Sequence, residues 1–556
     1  MSDQPAKPKS VSYNAARGPC TVCAEPGLPC SRCRVDYYCG KAHQKADYHR
    51  HRKGCGVLEM RSSPELKRHL VATRDIPAGT VIMRELPLVC FPRPYLLPGQ
   101  MLCVVCCRQL AGSISAWRQC GACGWPVCGV SCAQADVHRA ECQAFQRSGF
   151  KVSKGDLRRV DADWMNALST LRTCLAADTL PQLRDLQDHL NSDDALKSCP
   201  ADQMGMLMAM TFGRNRVFDK TVAWLQQKAG ITWIPADKLR RAVAANQING
   251  FCDDTTGGGR AVGGLARGAL YSGLCILEHS CASNTYMLLE VDETGQRLVM
   301  VSRDVKKGEH LSVDYQDCPF RSMSERRRDC CTRGFLCRCV LCEDPTELGL
   351  YLSSPCCKRC SKREKMTYID GKCGGCGEET AVTMAEPNAE FRRLQAQDNP
   401  RRWERFVEQF LWPKGPLHPT HCMVLHAKMQ VVEALERSQL GYQILLTTDD
   451  EAVRWESLCG DVLRALEVIR PGANAYTQSV LLATYHVKGL QMKKSLAGPR
   501  SRTHNMDMAR DSVKIILQLE KMMIAGRAKE VLEELKSDWK DVFAMPKERF
   551  DAFIAG

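Results

Sequence analysis

Eight side chains able to ligate a borderline metal ion lie within one short stretch: Cys20, Cys23, Cys30, Cys33, Cys39, His43, His51 and Cys55. They fall in pairs separated by two or three residues, the spacing by which a chain hands tetrahedral ligands to zinc. Eight ligands serve two ions. A segment this short and polar buries too little apolar surface to fold alone, so metal binding must supply its folding energy.

A second series repeats the logic: Cys103, Cys106, Cys120, Cys123, Cys128, Cys132, His138 and Cys142. Both series close on His-x3-Cys, which sets the two ligands on one side of a helical turn. His43 stands where the second series has Cys132. Cys107, adjacent to Cys106, leaves the register there open. Far downstream, GFLCRCVLC packs Cys337, Cys339 and Cys342 together, one ligand short of a tetrahedral site, and Cys281 in EHSC is the candidate fourth. Two knuckles, Cys357-x2-Cys360 and Cys373-x2-Cys376, read as a zinc ribbon in which Cys356 could replace Cys357. Six ions would account for all these ligands.

Positioning them requires strands and helices. Leu70–Ala72 and Val81–Met83 are β-prone runs flanking the turn Ile76-Pro77-Ala78-Gly79. GEHLSVDY reads as a strand running into Tyr315. Residues 150–245 carry helical periodicity, with Trp164, Leu168, Leu171 and Leu175 on one face. From about 385 the chain reads as all-helical. WESLCGDVLRALEVI sets Trp455, Leu458, Cys459, Val462, Leu463, Leu466 and Ile469 on one stripe that Pro471-Gly472 stops, and VLEELKSDWKDVF sets out Val531, Leu532, Leu535, Trp539, Val542 and Phe543 likewise. The glycine cluster GGGRAVGG at 257–264 lacks the Lys-Ser/Thr of a phosphate-binding loop and reads as a flexible loop.

Composition narrows the function classes. The chain has 556 residues, 33 of them cysteine, and a formal charge of +14. Counting six divalent ions and 21 ligating thiolates lowers that charge to about +5, which removes any need for a nucleic-acid partner. Residues 1–55 do hold ten Lys/Arg against four Asp/Glu. MSDQPAKPKSVSYNAARG is not an apolar leader, and no apolar run suggests a membrane span. Cysteines grouped in CxxC units point to a reducing compartment, nucleus and cytoplasm.

The two finger segments resemble MYND zinc fingers, whose ligands interleave. The resemblance implies sets of Cys20, Cys23, Cys39, His43 and Cys30, Cys33, His51, Cys55 in the first. In the second it implies Cys103, Cys106, Cys128, Cys132 and Cys120, Cys123, His138, Cys142. EHSCASN, GEHLSVDY and CRCVLC resemble the His-Ser-Cys motif, the strand ending in a catalytic tyrosine and the post-SET zinc segment of SET-domain lysine methyltransferases. Residues 70–94 look like the first SET strands, interrupted by a finger before the core resumes, as in the SET-and-MYND family. The additional N-terminal finger and the DPTELG segment look like its arthropod SmydA-like branch.

The architecture so implied is α+β: a flexible tail (1–17), a first finger (18–56), SET strands (60–100) and a second finger (101–145). A helical SET insert (150–245), core SET (246–320), post-SET zinc segment (321–348), ribbon (349–384) and tetratricopeptide-like helical domain (385–556) follow. The implied activity is methyl transfer from S-adenosylmethionine to a protein lysine, in gene regulation, by a protein expected to be monomeric. Tyr315 would be the catalytic tyrosine, with Asn249, Phe251, Glu278, His279 and Phe335 lining the cofactor site. Two positions depart from the family. PELKRHLVA, residues 64–72, lacks its usual glycines, and Glu278 replaces an asparagine. The carboxylate either holds the cofactor's ammonium or repels its carboxylate. The alternative reading is therefore a catalytically weak scaffold whose MYND fingers recruit proline-rich peptides; direct DNA binding has no recognition helix to support it.

Overall fold

The computed structural model describes residues 18–555 except 24, 34–35, 64–65, 93–100, 113–115, 187–200, 255–265, 288–294, 317, 358–367, 370–371, 375, 378, 380–383, 396–398, 438–447, 497–501 and 523–525. The tail 1–17 and the glycine cluster thus lie outside the described residues.

Three small sheets form the catalytic-type core. Strand β1 (Leu58–Ser63) pairs antiparallel with β2 (Lys67–Ala72) from Leu58↔Ala72 to Ser63↔Lys67. Leu70, Val71 and Ala72 are all buried, because β2 is an inner strand covered on both faces. The turn into β2 lacks glycine, and Lys67 adopts φ +54°, a left-handed conformation costing a non-glycine residue roughly 1–2 kcal/mol. Strand β3 (Val81–Glu85) does not pair with β2, so the predicted strand–turn–strand joins two sheets.

Strand β4 (Val89–Pro92) next finds its partner far along the chain. After it come the second finger, ending in helix α1 (Asp136–Ser148), and helices α2 (Ala162–Ala176), α3 (Ala201–Ala223) and α4 (Ala236–Asn249). Only then does the sheet resume with β5 (Phe251–Asp254) and β6 (Ala266–Leu270), where Phe91 pairs with Gly268. The insertion is thus threaded between two hydrogen-bonded strands. Helix α2 is buried on every side from Trp164 to Cys174, not along the single predicted face, because the finger, α4 and β4 surround it. Trp125, Trp164 and Trp224 meet at ring distances of 5.0–6.5 Å between finger and insert.

The core then supplies β7 (Glu278–His279), β8 (Thr285–Met287), β9 (Arg297–Val301) and β10 (His310–Val313). Their sheets run β7-β10-β2-β1 and β8-β9-β3, with β7 parallel to β10. Tyr315 lies two residues beyond β10 rather than at its last position. Helix α5 (Met323–Thr332) opens the post-SET segment behind a Ser322/Glu325 capping box.

The C-terminal region is helical as expected: α6 (Ala385–Gln395), α7 (Pro400–Phe410), α8 (Cys422–Arg437), α9 (Asp449–Ile469), α10 (Ala475–Leu496), α11 (Arg502–Glu520) and α12 (Gly526–Ser537). Trp455, Cys459, Val462, Leu466 and Ile469 of α9 are buried along the predicted stripe. The second stripe is broken: α12 ends at Ser537 and a short helix restarts at Lys540, so Trp539 sits at its cap. Among the described residues no helix is long and apolar enough to cross a membrane.

After α9 the chain turns at Gly472 with φ +81°, and Ala473 N–H donates to the Ser302 carbonyl at 3.2 Å. A Cβ at Gly472 would collide with that carbonyl. Gly472→Ala should therefore destabilise the protein by ~2 kcal/mol or more in urea denaturation, combining left-handed strain with the clash. An unchanged midpoint would show that this turn is not seated on the core.

Candidate functional site: thiol clusters beside an aromatic triad

The predicted ligands converge in the interleaved order. Cys20, Cys23, Cys39 and His43 form one cluster, and Cys30, Cys33, His51 and Cys55 another. Cys103, Cys106, Cys128 and Cys132 form a third, Cys120, Cys123, His138 and Cys142 a fourth, and Cys281, Cys337, Cys339 and Cys342 a fifth. In each, the four ligand atoms lie within 4.8 Å of one another, compact enough for one tetrahedral zinc. Cys107 is excluded: its φ of +60° turns the buried thiol away, 3.9 Å from the Val105 carbonyl. In the ribbon, Cys357 and Cys376 sulfurs lie 3.8 Å apart and Cys373 packs beside Cys357, while Cys360 lies outside the described residues.

The imidazoles of His51 and His138 are oriented by carboxylates outside the ligand sets. His51 donates from Nδ1 to Asp36 at 2.7 Å, which leaves Nε2 for the metal; Asp36 in turn accepts from Arg50 at 3.0 Å. His138 donates from Nδ1 to Glu141 at 2.7 Å, and Arg172 of α2 donates from Nε to Glu141 at 2.6 Å. A carboxylate on the far nitrogen fixes the tautomer and raises ligand basicity. Glu141, one turn after His138, was visible as an i,i+3 neighbour, whereas Asp36 and Arg172 had no local signal. His43 differs by presenting Nδ1, 3.1 Å from Cys39 and 3.5 Å from Cys20. Its shorter reach suits a position that the second finger gives to cysteine.

The fifth cluster lies beside His279 of the candidate site. Cys281 lies 3.9 Å from Cys337 and 3.6 Å from Cys342, so the segment after β7 is clipped to the post-SET chain. Within the post-SET segment Arg326 pairs with Glu347 at 2.9 Å, both buried. The clip sets Phe335 over the core: its ring lies 5.7 Å from His279 and 6.2 Å from Tyr315, and the last two are 5.1 Å apart.

Each expected cleft residue has a definite place. Tyr315 Oη donates to the Leu277 carbonyl at 2.6 Å, and burial reinforced by Glu278 raises its phenol, so it stays protonated. His279 accepts the Tyr315 N–H on Nδ1 at 3.1 Å and holds Nε2 3.2 Å from Cys281. Both ring nitrogens are thus occupied, and His279 positions its neighbours instead of offering a free nitrogen to a ligand. Glu278 is half-buried, and loss of hydration raises its carboxyl to about 7 against a smaller opposite pull from His279. Asn249 is the last residue of α4; its side-chain amide donates to the Ala245 carbonyl at 3.1 Å, and its backbone carbonyl accepts from the Cys275 thiol. Phe251 packs edge-on against Tyr271 at 5.4 Å and belongs to the sheet core more than to the cleft.

Two supports were missed by sequence reading. Glu85, fully buried at the end of β3, accepts from the backbone N–H groups of Ser272, Gly273 and Leu274 at 2.7–3.0 Å and thereby fixes the loop that presents Leu277. Arg333 lies 5.2 Å over the Tyr315 ring.

Such a core, split by an inserted finger and closed by a post-SET thiol cluster, defines a SET domain. The SET domain family matches residues 67–316 and the MYND finger family matches residues 20–55. The chain thus carries a SET domain and a MYND finger, the pairing that characterises SET-and-MYND proteins. It is 27% identical over 304 residues to SET domain-containing protein SmydA-8, isoform B, of Drosophila melanogaster, covering 53% of this chain and 60% of that relative. Isoform A matches at 28% over 305 residues, 53% of this chain and 58% of the relative. The match thus spans about 60% of the relatives' length. Histone-lysine N-methyltransferase SET5 of Candida albicans is 38% identical over 69 residues, 12% of this chain and 14% of that protein. The crystal structure of the SET domain of LSMT bound to lysine and AdoHcy aligns with 89% of this chain and 90% of its own at 10% identity and a TM-score of 0.27, too low to define a shared fold.

Removing the outer carboxylate tests the histidine chain. Glu141→Gln should lower zinc affinity of the second finger by ~10- to 100-fold in chelator competition, leaving the first finger unaffected. Equal chelator resistance in mutant and wild type would mean that Glu141 merely neutralises Arg172.

Proposed function

We propose that this protein is a zinc-dependent fold carrying an S-adenosylmethionine-dependent protein-lysine methyltransferase site, with Tyr315 as its catalytic tyrosine. The observation that carries the reading is the packing of His279, Tyr315 and Phe335 against one another, with Glu278 close to Tyr315, beside the Cys281 cluster. The SET5 and SmydA-8 relatives support it.

The residues suit the cofactor. The Glu278 carboxyl, raised to about 7 by loss of hydration, complements a ligand bearing ammonium and sulfonium charge, and the Tyr315 and Phe335 rings complement the same charge. When bound, S-adenosylmethionine supplies an activated methyl group. The chain's own work is orientation and dryness. A buried site disfavours the ammonium form of a lysine, which frees the amine lone pair. Tyr315, kept neutral by burial and anchored through Oη on Leu277, fixes the polar edge of the cleft. On this reading Glu278 is the repurposed partner of the cofactor's ammonium, and Asn249 with Phe335 completes the wall.

Zinc content follows from the same reading: six ions per chain, two in each finger, one at Cys281 and one in the ribbon. Metal analysis of protein purified without chelator should return that number, and four or fewer at full occupancy would refute it. Thiols gathered in clusters suit a reducing compartment, nucleus and cytoplasm, where the protein would act on protein lysines in gene regulation.

Tyr315→Phe should lower methylation of a protein substrate by ~100-fold or more with zinc content unchanged. Undiminished turnover would remove Tyr315 from the mechanism. Because a bound cation favours the carboxylate, cofactor affinity should rise with pH through the Glu278 value of about 7 and level off above it. Glu278→Gln should bind more weakly and lose that slope; tighter binding by the mutant would mean that the carboxylate repels the cofactor.

One observation favours a partner-recruiting role beside catalysis. Val22, Leu28 and Tyr48 of the first finger are exposed, an apolar set with an aromatic ring; the second finger exposes only the aliphatic Val130 and Val137 among its described large apolar side chains and packs Trp125 and Phe145 into the insert. Recruitment of proline-rich peptides would therefore fall to the first finger. Val22→Glu with Leu28→Glu should abolish capture of such peptides by the zinc-loaded full chain; equal capture would place the docking face elsewhere.

A further inference from the structure

Among the contacts of the C-terminal helical domain with the core, one ion pair falls beside Tyr315. Arg470, at the end of α9, is buried to 11% side-chain exposure and forms an ion pair with Asp314, itself 8% exposed. The same guanidinium donates to the Gln316 carbonyl at 3.0 Å, so one arginine grips the residues on both sides of Tyr315. Asp314 uses its other oxygen to accept the Gln316 N–H at 2.9 Å and lies 3.6 Å from His279 Nδ1. Tyr315 N–H donates to that nitrogen. The turn 314–316 is thus built from two sides, by His279 of the core and by Arg470 of a domain more than 150 residues downstream.

Arg470 is itself firmly placed. Its N–H donates to Leu466 at 2.7 Å, its carbonyl accepts from the Asn474 amide at 2.8 Å, and its guanidinium lies 5.3 Å from the Tyr476 ring. Gly472 lets the next residues press against Ser302 of the core. Both contacts come from one terminal nitrogen, Nη2, which stands one bond further from the backbone than a lysine ammonium, so reach rather than charge sets arginine apart here.

We propose that Arg470 is a positioning residue for Tyr315: the helical domain completes the SET site by locking the Asp314–Gln316 turn, and without this strut the phenol loses its fixed place over the Leu277 carbonyl. Its kinetic consequence rests on the methyltransferase reading. The structural consequence does not.

The test uses the zinc-loaded full chain with Arg470→Lys and Arg470→Gln, and Lys488→Met as a control. Lys488 is paired with Glu456 at 2.8 Å and Asp511 at 3.0 Å inside the helical domain, away from the cleft. Both Arg470 variants should speed amide hydrogen exchange in the peptide containing Tyr315 by ~10-fold or more, and lower kcat by ~10- to 100-fold with KM for the lysine substrate within about threefold. Lys488→Met should lower the thermal midpoint without either change. Combining Asp314→Asn with Arg470→Gln should add little to the single substitutions, because the pair acts as a unit. Wild-type exchange rates at Tyr315 in the Arg470 variants, or the same acceleration in Lys488→Met, would overturn the proposal. If the wild type neither binds S-adenosylmethionine nor methylates, the enzyme reading fails while the exchange measurement still decides the strut.

Discussion

The thiol cluster of Cys281, Cys337, Cys339 and Cys342 is the constraint on which the candidate site depends. It is the point where a core segment and the post-SET chain, separated by about sixty residues, are held within ligand distance. Four thiols brought so close are tolerable only with a cation among them, since thiolates repel and buried thiols gain little from one another. Metal binding there does more than add stability. It sets Phe335 against His279 and Tyr315, and it gives His279 Nε2 a sulfur neighbour that leaves Nδ1 as acceptor for the Tyr315 N–H.

The two fingers share ligand order but not surroundings. The second is a structural member of the core: His138, Glu141 and Arg172 form a buried chain that continues to the Cys90 carbonyl of β4, so finger, insert and sheet share one hydrogen-bond network. Removing one charge from such a chain strands another, which makes it costly to lose and specific in what it joins. The first finger leans on the core through Arg74, which donates to the Cys55 carbonyl at 3.1 Å, yet keeps apolar side chains in solvent. The second finger, although it exposes Val130 and Val137, holds the fold together; the first adds an exposed aromatic, Tyr48.

Ligands were legible in the sequence because metal chemistry acts through local spacing. Every described ligand of the two fingers and the post-SET site fell into the expected set, while the register left open between Cys106 and Cys107 was decided by the fold. The helical domain was legible through its stripes, except where Ser537–Trp539 interrupts a helix whose hydrophobic period continues past the break. Periodicity reports a face turned from water and says nothing of backbone continuity. It likewise under-read α2, where polar Ser169, Thr170 and Thr173 are buried because neighbours surround the helix. The supports of the cleft were illegible for another reason. Glu85, Arg172 and Arg470 act on residues dozens to hundreds of positions away, and nothing local to a glutamate or arginine announces a buried partner. His279 shows the same limit: the motif located it, but only the fold revealed that both its nitrogens are occupied.

Isothermal titration of S-adenosylmethionine into the zinc-loaded full chain and its Cys281→Ser variant tests the central claim most directly. The account predicts one saturable site in the wild type and loss of that binding in the variant, because the post-SET clip that brings Phe335 over Tyr315 would be open. Absence of binding to fully zinc-loaded wild type, or equal binding by both forms, would contradict it.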